Sequence, residues 1–273
     1  VPFTVSHAVV AFAARRTPLP VAAVAVGAMA PDAVLFVPAL PPYTVAHSPL
    51  GIVTIDLAVS LVALALWWTL VRPAWTPALP SALRDRLPVD WAGRPRLRWV
   101  DLPLVVVACV LGSVTHVVWD AFTHPHGRAV AVLPVLRSVV AGHPVYTIVQ
   151  DLSSVAGLVA LAVAVVLWWR RTAPRADAAD VAGAGQASRP AGLEARLAPA
   201  VAVAVVLLVA VVTAVRALLA GGGVGGVVLA EAFRLPAAVA VVLVVGAVVL
   251  RLREGGAERS EQPDGEERGE VRA

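Results

Sequence analysis

The sequence predicts an all-α protein, a polytopic integral-membrane helix bundle of about six full spans plus a short N-terminal helix. Three observations carry that prediction. The 273 residues are 59% hydrophobic with a mean hydropathy of +0.82, well beyond an ordinary soluble domain. The apolar residues fall in long runs, of the roughly 20 residues that a helix needs to cross a bilayer. The positive charge is all arginine, gathered in clusters at the ends of those runs, as expected of loops that flank spans.

The first run, Phe3 to Ala14, is short and closes on Arg15-Arg16; the second extends from Leu19 to about Leu40. Together they read as an antiparallel hairpin that returns Asp32 to the level of His7. Ala28-Met29-Ala30 resembles a signal-peptide cleavage site, but Pro31 directly after it argues that the segment is retained. Pro31 should also interrupt the second helix and free backbone groups that only a protein-lined or wet environment tolerates. A proline-rich loop from Pro38 to Pro49 carries His47-Ser48. The span Leu50 to Val71 ends on Trp67-Trp68 and Arg72, with Asp56 about two turns inside, where a supporting role is expected.

Residues 72–101 form a polar, arginine-dense loop. From Leu102 to Phe122 runs a span whose far end carries His116 and Asp120, and His124 continues the same four-residue interval, so the three share one helical stripe. The loop from Thr123 to Thr147 holds His126 and His143, read as solvated. Another span, Ile148 to Trp169, opens on Gln150-Asp151 and closes on Trp168-Trp169-Arg170-Arg171. Two more spans, about Pro199 to Ala220 and Val227 to Leu250, are joined by a glycine-rich turn and carry Arg216, Glu231 and Arg234, read as neutralising one another. The expected division is a membrane domain over 1–171, a flexible linker over 172–198, a transmembrane hairpin over 199–250 and a charged, disordered tail over 251–273.

With the arginine clusters on the cytoplasmic side, every connection alternates consistently and the C-terminus is cytoplasmic. His7, Asp32, His47, His116, Asp120, His124 and Asp151 then share the outer level, while the inner halves of the spans are almost uniformly Ala, Val and Leu. Imidazole and carboxylate are expensive in a bilayer, and grouped at one depth they are read as functional. They are also the donors that suit zinc, or iron or manganese, and a site with a free coordination position would activate water for hydrolysis. Asp151 is the candidate general base or orienting group. A substrate reaching this level from the bilayer would be a lipid or a lipid-linked or other phosphoester. The lone Cys109 excludes an intrachain disulfide and a cysteine metal site. The arginine clusters sit at the ends of apolar runs and form no single basic stripe with interleaved aromatics, which argues against nucleic acid as a partner.

The elements Pro2-Phe3-Thr4-Val5-Ser6-His7, Gly27-Ala-Met-Ala-Pro31-Asp32, His47-Ser48 and Ser113-Val-Thr-His116-Val-Val-Trp119-Asp120-Ala-Phe-Thr123-His124, in this order, resemble a bacterial multi-pass membrane family, domain of unknown function 4184. That resemblance implies a bacterial cytoplasmic membrane. More loosely, the order is similar to the inner-membrane metal-dependent hydrolase family, which implies metal ligands at His7, Asp32, His47, His116 and Asp120. The sequence departs from that wider pattern at Ala33 to Phe36, where those hydrolases often place a further Asp and His. Against the hydrolase stands a non-enzymatic alternative: a scaffold, or a carrier with a proton or metal relay. A carrier, however, should show polar residues through the full membrane depth.

Overall fold

A computed structural model describes residues 4–37, 39–93, 98–175, 193–221 and 223–260. The chain is a helical membrane bundle. In order, α1 is Thr4–Ala14, α2 Val21–Leu35, α3 Tyr43–Ala46, α4 Pro49–Ala78, α5 Ser81–Arg84, α6 Leu102–Thr123, α7 Arg128–Val132 and α8 Pro134–Arg137. Two-residue strands, β1 Val139–Val140 and β2 His143–Pro144, pair antiparallel across Ala141-Gly142. Both turn residues have positive φ, the conformation of a tight hairpin turn. The long helices α9 Val145–Arg171, α10 Leu193–Leu219 and α11 Gly223–Ser260 complete the fold.

Five stretches among the described residues are long and apolar enough to cross a membrane: Pro49–Ala78, Leu102–Val132, Val145–Arg171, Leu197–Leu219 and Arg234–Arg253. The difference from the expected six lies in the second segment, which stops at Leu35. The cause is Pro31. The α-helical turns of α2 end at Met29, and Ala30–Leu35 continues as a 3-10 helix. Helix α10 begins at Leu193, inside the stretch expected as linker, and α11 continues to Ser260, ten residues past Leu250. The remainder of that linker, from 176 to 192, and of the tail, from 261 to 273, lies outside the described residues. So does the Glu231 side chain expected to neutralise Arg216 and Arg234, both of which are exposed.

The contact that positions the site is the crossing of α2 and α6. A Cβ on Gly27 would lie 2.2 Å from the Cys109 carbonyl oxygen, and one on Gly112 would lie 2.4 Å from that of Val24. The two backbones therefore touch, which is how membrane helices gain packing energy without a hydrophobic driving force between them. Ala23, Val24, Leu64, Val105, Ala108 and Cys109 fill the surrounding core. The hairpin of α10 and α11 packs on the far end of α4, where Trp75 covers Gly246 and donates its indole N–H to the Leu243 carbonyl at 2.8 Å.

Candidate metal centre

The site is assembled where the regular helices break. Because Pro31 has no N–H, the Gly27 carbonyl loses the usual donor four residues on and accepts the Ala30 N–H instead, with a lone pair to spare. The Ser113 hydroxyl donates to it from α6 at 3.0 Å. One residue later, Nδ1 of His116 lies 2.8 Å from the Ala28 carbonyl. A carbonyl cannot donate, so Nδ1 carries the proton and the Nε2 lone pair is turned to the interior. The close α2–α6 crossing and the proline break thus together set the tautomer of one imidazole.

His47 is oriented in the same way from a different segment. It follows α3, its Nδ1 lies 3.1 Å from the Tyr43 carbonyl, and the Tyr43 and His47 rings stack at 3.6 Å. Ser48, its neighbour in the sequence pair, is the N-cap of α4: its hydroxyl accepts from the Gly51 N–H at 3.0 Å, and Pro49 occupies the first turn. The role of this serine is to start a helix, which fixes the residue before it.

Two carboxylates face these imidazoles. Asp32, on the 3-10 turn, accepts the Thr4 hydroxyl on Oδ2 at 2.7 Å and leaves Oδ1 3.5 Å from His116 Nε2 and 4.0 Å from His47 Nε2. Asp120, one turn beyond His116, accepts the Tyr43 hydroxyl on Oδ2 at 3.0 Å. The same oxygen is 3.3 Å from His116 Nε2 and 3.4 Å from His47 Nε2. Burial pushes the Tyr43 phenol up from its ordinary value and the neighbouring Asp120 carboxylate adds to the shift, so Tyr43 remains a protonated donor through the neutral range.

One ligand atom from each of Asp32, His47, His116 and Asp120 lies within 4.8 Å of all the others. Asp32, His116 and Asp120 are almost fully buried, at 2%, 0% and 4% exposure. Nε2 of both histidines and Oδ1 of Asp120 have no hydrogen-bond partner. With Nδ1 carrying the only ring proton, the two Nε2 lone pairs and the two carboxylates repel one another, and either a metal ion or added protons must lie between them. A tetrahedral ion with bonds of about 2.0–2.2 Å separates its ligands by roughly 3.3–3.6 Å, and three of the four cross distances, 3.3, 3.4 and 3.5 Å, fall in that range. The donors are hard and borderline, oxygen and nitrogen with no sulfur, and their two negative charges match a dication. The cluster can hold a metal ion.

The other expected site residues fall outside this set of four. The His7 ring stacks on His116 at 4.0 Å, and its Nε2 is 3.7 Å from Asp120 Oδ1. His124 sits past the end of α6, with Nδ1 3.5 Å from Asp120 Oδ2 and Nε2 3.3 Å from the Gln150 amide. Both flank the cluster. Asp151 is exposed on α9, whereas its neighbour Gln150 is buried and reaches His124. Asp56 ends a π-helical turn, Ile52–Asp56, fully buried and with neither oxygen hydrogen-bonded. His126 and His143 are exposed, as loop residues should be. Thr4, Tyr43 and Gln150 are the participants not anticipated. Tyr43 stands one turn before His47, a spacing that would have placed it beside that imidazole had α3 been foreseen.

Fold and site together define a multi-pass helical membrane protein with a buried two-His, two-Asp cluster that can take a metal ion. A family model described as Domain of unknown function (DUF4184) matches residues 1–252, and the chain belongs to that family. No curated protein and no solved structure matches it.

Proposed function

We propose that the protein is an integral-membrane, metal-dependent hydrolase whose ion is held by Asp32, His47, His116 and Asp120 at the membrane face away from the arginine-rich loops. The observation that supports this is the pair of Nε2 atoms without hydrogen-bond partners facing two buried carboxylates. Zinc suits four N and O donors at these separations, with iron or manganese as alternatives. A bound dication would supply Lewis acidity and water activation. The chain's own groups have separate tasks. Thr4 and Tyr43 each occupy one oxygen of a carboxylate and fix its rotation. The Ala28 and Tyr43 carbonyls hold the two imidazoles in the ligating tautomer. His7 and His124 stand at the edge of the cluster, where an approaching substrate would meet a proton donor or acceptor. The substrate we propose is a lipid or lipid-linked phosphoester, drawn from the bilayer. By the positive-inside rule we take this face to be the non-cytoplasmic side of a bacterial inner membrane.

Detergent-purified protein loaded with zinc or manganese and offered phosphatidic acid, lipid diphosphates and a soluble phosphomonoester should hydrolyse at least one of them, and Asp120→Asn should remove that activity. A second reading is favoured by the deep burial of Asp32, His116 and Asp120: a closed ion-bound staple that joins α2, the α3–α4 turn and α6 without catalysis. Stoichiometric metal with no turnover of any of these substrates, together with a large loss of thermal stability on chelation, would favour the staple and count against the hydrolase.

A further inference from the structure

A second site lies at the opposite end of the same helices. The hairpin of α1 and α2 is short: α1 has 11 residues, against 27 in the neighbouring α9. Both run away from the cluster, with Ser6 of α1 against Gly157 of α9. From that contact Arg16 lies 10 residues on and Arg171 lies 14 on, and Thr4–Val10 rises at the steeper 3-10 pitch of about 2.0 Å per residue, so the turn arrives beside the last turns of α9. Between that turn and the end of α9 is a half-open recess of about 680 Å³, walled by Phe12, Leu167 and Trp168 and edged by Arg15, Arg16 and Arg171. Its lining contains no carboxylate, and no carboxylate among the described residues pairs with any of the three arginines. Arg15 is braced over the Phe12 ring at 4.9 Å. The apolar wall opens onto a strip of exposed α9 side chains, Val163, Val166 and Leu167.

We propose that this recess binds an anionic phospholipid, its phosphodiester on Arg15, Arg16 and Arg171 and an acyl chain along Leu167 and Trp168. Guanidinium is the side chain best matched to phosphate oxygens, and basic recesses between spans on the arginine-bearing side are the usual form of acidic-lipid sites. Continuity with the lipid-facing surface of α9 assigns the phosphate to a lipid rather than to a free anion. Residues 171 and 172 belong to the lining, so an occupied recess would tie the hairpin turn to the end of α9. This inference is independent of the metal centre.

Native mass spectrometry of the full chain in detergent, titrated with dioleoylphosphatidylglycerol and dioleoylphosphatidylcholine, tests it. The wild type should prefer the acidic lipid by about tenfold or more. Arg16→Gln/Arg171→Gln should lose most of that preference, and Arg84→Gln/Arg98→Gln, which removes the same charge elsewhere, should keep it. Leu167→Trp, which fills the wall and leaves every arginine in place, should also weaken binding. Equal retention of the two lipids, equal loss in the two double variants, or no effect of Leu167→Trp would overturn the proposal. Displacement of the lipid by millimolar glycerol phosphate would reassign the site to a free phosphate and overturn it too.

Discussion

The α2–α6 crossing makes Gly112→Ala an informative perturbation, because the new methyl touches none of the cluster side chains. Its Cβ would lie 2.4 Å from the Val24 carbonyl oxygen and 2.6 Å from the Ala28 nitrogen, both backbone atoms that cannot rotate away. Ordinary contact begins at 3.4 Å, so the helices must separate by about 1 Å at this level. Overpacking of this kind costs about 1–3 kcal/mol. The larger consequence is for the site, since His116 and its acceptor, the Ala28 carbonyl, sit on opposite sides of the crossing. A displacement of about 1 Å breaks a hydrogen bond of 2.8 Å and shifts Nε2 by about half the length of a metal–nitrogen bond. Loss of such outer hydrogen bonds commonly weakens metal binding 10- to 100-fold. Chelator competition on the purified variant, beside its melting temperature in the same detergent, measures both effects. Metal affinity equal to wild type in a variant that still folds would refute the claim that backbone contact sets the ligand geometry.

Tyr43→Phe removes the hydroxyl that donates to Asp120 and should weaken metal binding about tenfold; because the phenol is held protonated, the loss should be the same at pH 6 and pH 9 in chelator competition. Ser113→Ala leaves the Gly27 carbonyl without its cross-helix donor and should cost about 0.6–2 kcal/mol, read from unfolding in detergent. Trp75→Phe removes the indole bond to Leu243 on the C-terminal hairpin, at a similar cost in stability, and should leave metal content unchanged because the site lies at the other end of α4.

The helical membrane class was legible from the apolar runs alone, since bilayer thickness fixes span length whatever the details of packing. The polar residues were legible for the same energetic reason: Asp32, His47, His116 and Asp120 stand out because ions are costly in lipid, and they do converge. What composition could not show was how each is held. The proline break was foreseen at Pro31, but its consequence, a carbonyl offered to Ser113 and its neighbour to His116, depends on which helix crosses there. The crossing itself was hidden, because Gly27 and Gly112 lie 85 positions apart in the chain and carry no side chain to reveal their contact. In the sequence, charge singles out Asp151 as the candidate base or orienting group. Rotation of about 100° between neighbouring helix positions decides instead which one faces inward, and burial places Gln150 there.

The central claim, that a cation completes the four-residue cluster, is tested most directly by elemental analysis of detergent-purified wild-type protein beside His116→Ala/Asp120→Ala. The wild type should carry close to one equivalent of zinc, iron or manganese per chain and the double variant almost none, at comparable helical content. Wild-type protein that stays metal-free after incubation with each of these ions would contradict it, and the two imidazoles and two carboxylates would then be joined by protons alone.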